Sequence, residues 1–531
     1  MKYLITCISA LILIVISKLD EERPNILILL ADDVGYGDTD IYGHSIHNTT
    51  NLRRLSEKGT LFTQMYSPTP LCTPSRAGLL TGRHPARMGL VGNMSDDPMF
   101  ATSGVLYCSA DKGLPHSEKT IAQFLNETGY DTYIVGKWHL GHKCEYLPHT
   151  FGFKDYFGVP YDIKEGYFEQ NFGVCESFSG FLCPPMPLQH SSRKEGEDIC
   201  EILEQPLNRD NLTNAYLDRV ESILDESKQT KKPFFLFMSF AHVHVDCANN
   251  PFVSNKTRFL ENDNFMKASV EEMDFMIGEI YRLLRDKGLN NNTIIYFSSD
   301  NGGESSELEH IFGDTRSGAS SNSPFDGIFS ALKYGSADTG KCSTWEGGMR
   351  VPGFITWEGR EDIIKPNTIS RQIYSLLDFV PTVLNLLKLD VPSNLDGLDM
   401  LPHIYDKKIK NRFIHYYRGG AYYAIRYGKW KFHLYTRPAS ECYYPWWRVI
   451  HKFVPVPHKN FLIFDLEQDQ GEKFPIDGDY FKKTYPDIFQ EVIDEIERHK
   501  LSMKDATKNI LDDLDPEGIV CCDPKKNCNC N

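Results

Sequence analysis

Six short groups of residues in this 531-residue chain could do chemistry together. Asp32-Asp33 and Asp300-Asn301 offer four oxygen-bearing side chains, three of them anionic, a set that suits a hard divalent cation such as calcium or magnesium better than zinc. One acidic pair alone is ordinarily a solvated turn, so the argument needs both. Lys137-Trp138-His139 and His242-Val243-His244 bring histidines that can move protons near neutral pH. Successive residues of a strand point to opposite faces, so only one of His242 and His244 should face a shared site, and His244 is the choice. Lys341, after a glycine and just before Trp345-Glu346-Gly347-Gly348, adds a second ammonium group. Cys72 and, one helical turn later, Arg76 complete the set. Together these are the parts of a site that grips an anionic group beside a metal ion and moves protons around it.

Such residues must be positioned, and the sequence shows how. An unbroken apolar, β-rich run precedes each of four groups: Asn25 to Ala31 before Asp32, Asp131 to Gly136 before Lys137, Phe234 to Ala241 before His242, and Thr293 to Ser299 before Asp300. Runs without polar alternation suit strands buried on both faces of a parallel α/β sheet. Between them lie segments with helical periodicity. Ser117 to Thr128 carries Ile121, Phe124 and Leu125, and Lys267 to Lys287 carries Val270, Met273, Ile277, Ile280 and Leu284 on one face. Ligands of open α/β sheets bind beyond the carboxyl ends of the strands, so four loaded strand ends imply one site.

From about Arg412 the pattern changes. Arg412 to Tyr417, Tyr422 to Tyr427, Lys429 to Tyr435 and Phe461 to Leu466 are short, aromatic and separated by turns, as in an antiparallel sheet. Ile488 to His499 reads as one amphipathic helix with Ile488, Val492, Ile493 and Ile496 inward. The expected organisation is a large domain over residues 18–410 and a small α+β domain over 411–531.

The segment Leu71-Cys72-Thr73-Pro74-Ser75-Arg76, continuing to Thr81-Gly82-Arg83, resembles the sulfatases, whose Cys-x-Pro-x-Arg core directs oxidation of that cysteine to formylglycine. Asp32-Asp33, Gly136-Lys137-Trp138-His139, His242-x-His244, Asp300-Asn301-Gly302 and Gly340-Lys341 follow in the family's order. Trp345-Glu346-Gly347-Gly348-Met349-Arg350-Val351-Pro352, Phe464-Asp465-Leu466 and Gly471-Glu472 extend the likeness over nearly the whole chain. It is closest to the group that contains arylsulfatase A, galactosamine-6-sulfatase and steryl sulfatase. The polar composition of Gly158 to Pro206 departs from the apolar membrane hairpin of steryl sulfatase, so neither membrane insertion nor a steroid substrate is expected.

The resemblance implies an α/β fold of the alkaline-phosphatase type: a large mixed sheet flanked by helices, with a smaller C-terminal antiparallel sheet and helix. It also implies hydrolysis of sulfate monoesters. One hydroxyl of hydrated residue 72 attacks sulfur, and deprotonating the other expels sulfate, so no second attack at sulfur is needed. Calcium, or magnesium, held by Asp32, Asp33, Asp300, Asn301 and residue 72 itself stabilises the nucleophile. Arg76 hydrogen-bonds the hydrate, Lys137 and Lys341 grip sulfate oxygens, His139 is the base, and His244 with Lys341 protonates the leaving alcohol. The implied partners are the formylglycine-generating enzyme and a sulfated small molecule, glycolipid or glycan; a homo-oligomer is compatible with the sequence.

Whole-chain properties bound the reading. A formal net charge of −15 argues against nucleic acid and gives no global pull on an anionic substrate, so an anion site has to be built locally. Residues 1–17, with one early lysine and an apolar run from Leu11 to Ile16, read as a cleaved signal. Of 14 cysteines, Cys7 leaves with the signal and Cys72 is consumed; the even remainder suits disulfides in a secreted or lysosomal protein. The terminal Cys521, Cys522, Cys528 and Cys530 read as two disulfides in preference to a zinc cluster. Six Asn-x-Ser/Thr sequons, at Asn48, Asn93, Asn126, Asn211, Asn255 and Asn291, fit the same route. Two other readings remain open: a phosphate mono- or diester hydrolase of the same superfamily, and a non-catalytic binder of sulfated glycans. Specificity should reside in loops such as Met94 to Lys112, Tyr161 to Glu204 and Glu304 to Thr339, and in His415 to Tyr423.

Overall fold

The computed structural model describes residues 23–43, 47–92, 104–163, 183–245, 252–254, 264–304, 320–325, 339–405, 412–436 and 455–511, together with isolated positions between and beyond these spans. Residues 1–17, the larger part of the loops Met94 to Lys112 and Glu304 to Thr339, and residues 164–182 of the loop Tyr161 to Glu204 lie outside the described residues.

The first of the predicted strands, Asn25–Ala31, occupies the middle of a ten-stranded mixed sheet. Parallel to it on either side run Thr293–Ser299 and Phe234–Ser239. Asp131–Gly136 and Asp155–Gly158 continue the parallel set beyond Phe234–Ser239. The antiparallel hairpin of Leu188–Lys194 and Glu197–Glu204 closes that edge. On the other side Gly353–Thr356 pairs antiparallel to Thr293–Ser299, followed by Gly59–Phe62 and Thr368–Ser370.

The unbroken apolar runs have the cause inferred for them. Ile26, Ile28 and Leu30 pack into one hydrophobic cluster and Leu27, Leu29 and Ala31 into another on the opposite face. Each such side chain contributes about 1.5–3 kcal/mol relative to exposure, which makes a one-residue slip of these strands costly on both faces at once. The second cluster is roofed by the helices Arg209–Thr230 and Phe265–Asp286, whose Leu212, Tyr216, Met273 and Ile277 reach the sheet.

Several boundaries differ from the sequence reading by a few residues, and two of them in the large domain show how. The helix expected from Ser117 begins only at Ile121, because Thr120 caps it: its hydroxyl accepts from Gln123 N–H while the Gln123 side chain accepts from Thr120 N–H. The strand expected to reach Ala241 stops at Ser239, although Phe240 N–H still donates to Leu30 carbonyl.

The C-terminal part is a four-stranded antiparallel sheet of Phe413–Arg418, Ala421–Tyr427, Trp430–Thr436 and Val456–Asp465, covered by the helix Pro486–Ser502. Val492 and Ile496 of the helix share a core with Ile425, Phe432 and Ile463. The aromatics of residues 415–423, offered above as a specificity surface, are core: Tyr416, Tyr417, Tyr422 and Tyr423 are all buried. Part of the expected loop Tyr161 to Glu204 is the edge hairpin.

Disulfides join Cys108 to Cys183, Cys144 to Cys200, Cys521 to Cys528 and Cys522 to Cys530. Cys342 is disulfide-bonded too, and among the described residues Cys72 alone keeps a free thiol. The described sequon asparagines Asn48, Asn126, Asn211 and Asn291 are all exposed. No helix among the described residues is long and apolar enough to cross a membrane.

Candidate active site

Beyond the carboxyl ends of the parallel strands, the side chains singled out above converge. Asp32 and Asp33 leave the central strand, Asp33 with a left-handed φ of 61° that turns its carboxylate back over the strand ends. Its N–H donates to Asp300 Oδ1 at 3.2 Å, and Asn301 Nδ2 donates to Asp33 Oδ1 at 2.7 Å, so the two acidic pairs from adjacent strands form one cluster. Lys137 follows Gly136, whose φ is 111° and where a Cβ would come within 1.8 Å of Ser239 carbonyl; the chain can pass there only as glycine. Lys137 Nζ then donates to Asp32 Oδ2 at 2.7 Å, and Lys341 Nζ to Asp33 Oδ2 at 2.6 Å.

Cys72 is the first residue of the helix Cys72–Thr81, fully buried, with Sγ 3.9 Å from Asp33 Oδ1. Burial pushes its thiol well above the ordinary range against the pull of Lys137 and Lys341, so the sulfur is held as S–H. Arg76, one turn along, is fully buried. Its Nε donates to Asp300 Oδ2 at 2.9 Å, and its Nη1 to Ser239 Oγ at 2.6 Å and Lys137 carbonyl at 3.1 Å, while Nη2 lies 3.2 Å from Asp32 Oδ1. The guanidinium thus ties the helix Cys72–Thr81 to the carboxylates of Asp32 and Asp300.

The histidines divide. His139, at φ 58°, sets Nε2 2.9 Å from Leu106 carbonyl. A carbonyl only accepts, so Nε2 carries the proton and Nδ1, buried with no hydrogen-bond partner, carries the lone pair. Burial, reinforced by Lys137, lowers its pKa to about 3, which keeps the ring neutral. His244 sets Nε2 2.9 Å from Lys341 Nζ and 3.1 Å from Asp162 Oδ2, with Nδ1 2.8 Å from Val245 carbonyl. Burial opposes its protonation, but Asp162 and Asp33 outweigh that and raise its pKa. His242 points the other way, 3.4 Å from Glu272 and edge-on to Phe252.

Asp162 is the site residue that sequence reasoning missed. It enters from the end of a fifth parallel strand, Asp155–Gly158, which at four residues is too short to stand out as an apolar run. The only signal was its place two residues beyond Pro160, and that is weak.

The cluster fits a hard cation. Asn301 Oδ1 is buried and makes no hydrogen bond, at a cost of about 1–3 kcal/mol that a cation would remove, and Asp32 Oδ1 has only the Arg76 guanidinium 3.2 Å away without hydrogen-bond geometry. Burial and the neighbouring Asp32 push the Asp300 carboxyl up, a sign of crowded negative charge. Two other groups of metal-binding types suit an ion less well. Cys144 and Cys200 near His149 are joined to each other, and the rings of His415 and His499 beside Glu495 stack at 3.6 Å and 10°, so their in-plane lone pairs cannot meet on one ion.

Crowded buried carboxylates, a buried cysteine opening a helix, and flanking lysines and histidines at the carboxyl edge of a mixed sheet are the arrangement of a hydrolase of anionic esters with an alkaline-phosphatase-like fold. The model of the family described as Sulfatase matches residues 24–389, and that described as the C-terminal region of aryl-sulfatase matches residues 409–530. Arylsulfatase G of Rattus norvegicus is 31% identical over 541 residues, covering 96% of this chain and 93% of the relative. N-acetylgalactosamine-6-sulfatase of Canis lupus familiaris is 32% identical over 506 residues, covering 91% of this chain and 87% of the relative. The solved structure of the PsFucS1 sulfatase from Pseudoalteromonas sp. superposes with a TM-score of 0.73 at 26% identity, covering 93% of each chain. The chain belongs to the sulfatase family, and its activity is that of a sulfuric ester hydrolase.

Proposed function

We propose that residue 72, oxidised from cysteine to formylglycine, is the nucleophile, that the substrate is a sulfated sugar or glycan, and that the protein itself passes through the secretory pathway to the lysosome or cell exterior. The observation that carries the nucleophile assignment is Cys72 itself: it opens a helix whose N-terminal N–H groups favour negative charge, lies against Asp33, and as a buried S–H is a poor nucleophile until it is converted. The hydrated aldehyde would supply an oxygen nucleophile with a second hydroxyl for release of sulfate. Calcium, held by Asp32, Asp33, Asp300 and Asn301, would supply charge stabilisation at that oxygen and at one sulfate oxygen.

The chain's own residues perform the remaining work. Lys137 and Lys341 hold the peripheral sulfate oxygens while Asp32 and Asp33 fix their positions. His139, neutral with its lone pair on Nδ1, accepts the proton whose loss releases sulfate. His244, whose proton affinity Asp162 and Asp33 raise, gives a proton to the leaving alcohol. Arg76 holds Asp32 and Asp300 in place and, one turn from residue 72 with an Nη2 that makes no hydrogen bond, hydrogen-bonds the hydrate.

The sugar class is supported by the relatives whose names specify N-acetylgalactosamine 6-sulfate. Mass spectrometry of the peptide spanning Cys72, from protein exported by cells that contain the formylglycine-generating enzyme, tests the nucleophile. An intact thiol in material that cleaves aryl sulfate would refute it. Turnover against a panel of sulfated sugars, sulfatides and steroid sulfates tests the substrate class.

A further inference from the structure

Asp162 places a further carboxylate on the side of the pocket formed by His244 and Lys137, away from the Asp32-Asp33 and Asp300-Asn301 cluster. Its Oδ2 is 3.1 Å from His244 Nε2 and 3.9 Å from Lys137 Nζ. One of its oxygens, Cys72 Sγ and a His139 ring nitrogen all lie within 4.8 Å of one another. It therefore borders the space in which the transferred group must sit against residue 72. The nearby His244 and Lys137 hold the carboxyl well below the usual carboxylate range against the effect of burial, so the charge is permanent at working pH.

A fixed anion in an anion pocket looks counterproductive until the charges of the competing ligands are compared. A sulfate monoester carries one negative charge, but the inorganic sulfate released from it carries two. Phosphate monoesters, of nearly the same shape, carry about −1.5 to −2 at pH 7. Tetrahedral geometry and hydrogen bonds to Lys137 and Lys341 are common to all three, so they separate nothing. Coulomb repulsion from a neighbouring carboxylate scales with the ligand's charge, and in a buried site it is weakly screened.

We propose that Asp162 is a specificity-determining residue that reads ligand charge: it admits the monoanionic sulfate ester and weakens dianions, both the sulfate product and phosphate monoesters. The inference rests on the sulfate-ester reading of the pocket and adds that product release and sulfate-over-phosphate selectivity come from one side chain. The two lysines and the cation provide the attraction common to every oxyanion, and Asp162 provides the difference.

The test compares inorganic sulfate with methanesulfonate, a monoanion of similar shape with no ester bond to cleave. Dissociation constants are measured by isothermal titration calorimetry on the full, calcium-loaded protein. Binding needs no turnover, so the result can be read separately from aryl sulfate cleavage, which tests the underlying assignment. In Asp162→Asn and Asp162→Ser the ratio of the sulfate to the methanesulfonate dissociation constant should fall by about tenfold or more, and in Asp162→Glu it should stay near the unmodified value. Loss of a merely structural contact would weaken both ligands together and leave the ratio in place. A fall smaller than about threefold in both neutral variants overturns the proposal.

Discussion

Arg76 donates from Nε to Asp300 Oδ2 at 2.9 Å, and both side chains are fully buried. Without the guanidinium, Asp300 and Asp32 would face each other with little to compensate them, since Lys137 reaches only Asp32 by a direct hydrogen bond. Breaking a buried ion pair by removing one partner typically costs about 3–5 kcal/mol. Arg76→Ala should therefore lower stability by that order in urea unfolding, and Arg76→Lys should recover only part of it, because an ammonium cannot reach Asp300, Ser239 and the Lys137 carbonyl together. A variant as stable as the parent would mean that the carboxylates are neutralised by something else.

The three strand-end histidines should separate cleanly in kinetics. His139→Ala and His244→Ala should each lower kcat toward aryl sulfate by about 10²–10⁴-fold. His242→Ala removes a ring that faces Glu272, so kcat should stay near the parent value while stability falls by about 1–3 kcal/mol. Equal loss of kcat in all three would show that the face assignment is wrong.

How much of this was legible beforehand depends on length and repetition. Strands such as Asn25–Ala31 and Thr293–Ser299 announce themselves because both faces are buried, which leaves no polar residue to break the run. Each also ends in a residue type that a turn alone does not require, and four such ends corroborate one another. Asp162 escaped because Asp155–Gly158 is short and begins with a polar residue engaged with Arg219 and His190. The edge hairpin Leu188–Lys194 and Glu197–Glu204 escaped for a related reason: a half-exposed edge carries Arg, Lys, Glu and Asp and reads as loop. Composition could not decide whether the aromatics of residues 415–423 stack on substrate or on one another, because both uses need the same side chains. The buried contacts of Arg76 with Asp32 and Asp300 were not legible either, since spacing places it one turn from Cys72 but cannot say which way its guanidinium turns.

Removing the cation should be visible in folding as well as in turnover. Four oxygen donors drawn from two strands are crowded in its absence, and a ligand present at about one hundred times its dissociation constant stabilises by about 2.7 kcal/mol. Chelation with EGTA should abolish aryl sulfate cleavage and lower the melting temperature, and calcium should restore both. Asp300→Asn should lose much of that calcium response. A melting temperature indifferent to EGTA and calcium would remove the cation from the site.

Acid stability should be set elsewhere, where the C-terminal helix meets the catalytic part. His415 stacks on His499 with ring centroids 3.6 Å apart, and His84 approaches His499 edge-on at 5.9 Å. Burial pushes His84 down to about 3 and holds His415 and His499 below their ordinary value as well. Arg87 and the neighbouring rings add to the effect; Asp396 beside His84 and Glu495 beside His415 oppose it. Above about pH 6.5 these rings are neutral in both the folded and unfolded chain, and their contribution to stability is fully present. Below that the unfolded chain binds protons that the folded one refuses, so stability is lost progressively as pH falls toward about 3, where His84 itself protonates. At about 1.36 kcal/mol per unit, His84 alone removes about 2 kcal/mol by about pH 5. His499→Phe keeps a flat ring in the stack but cannot bind a proton, so its melting temperature should fall less steeply than that of the parent over the same window. Parallel slopes for the two proteins would place the acid sensitivity outside this cluster.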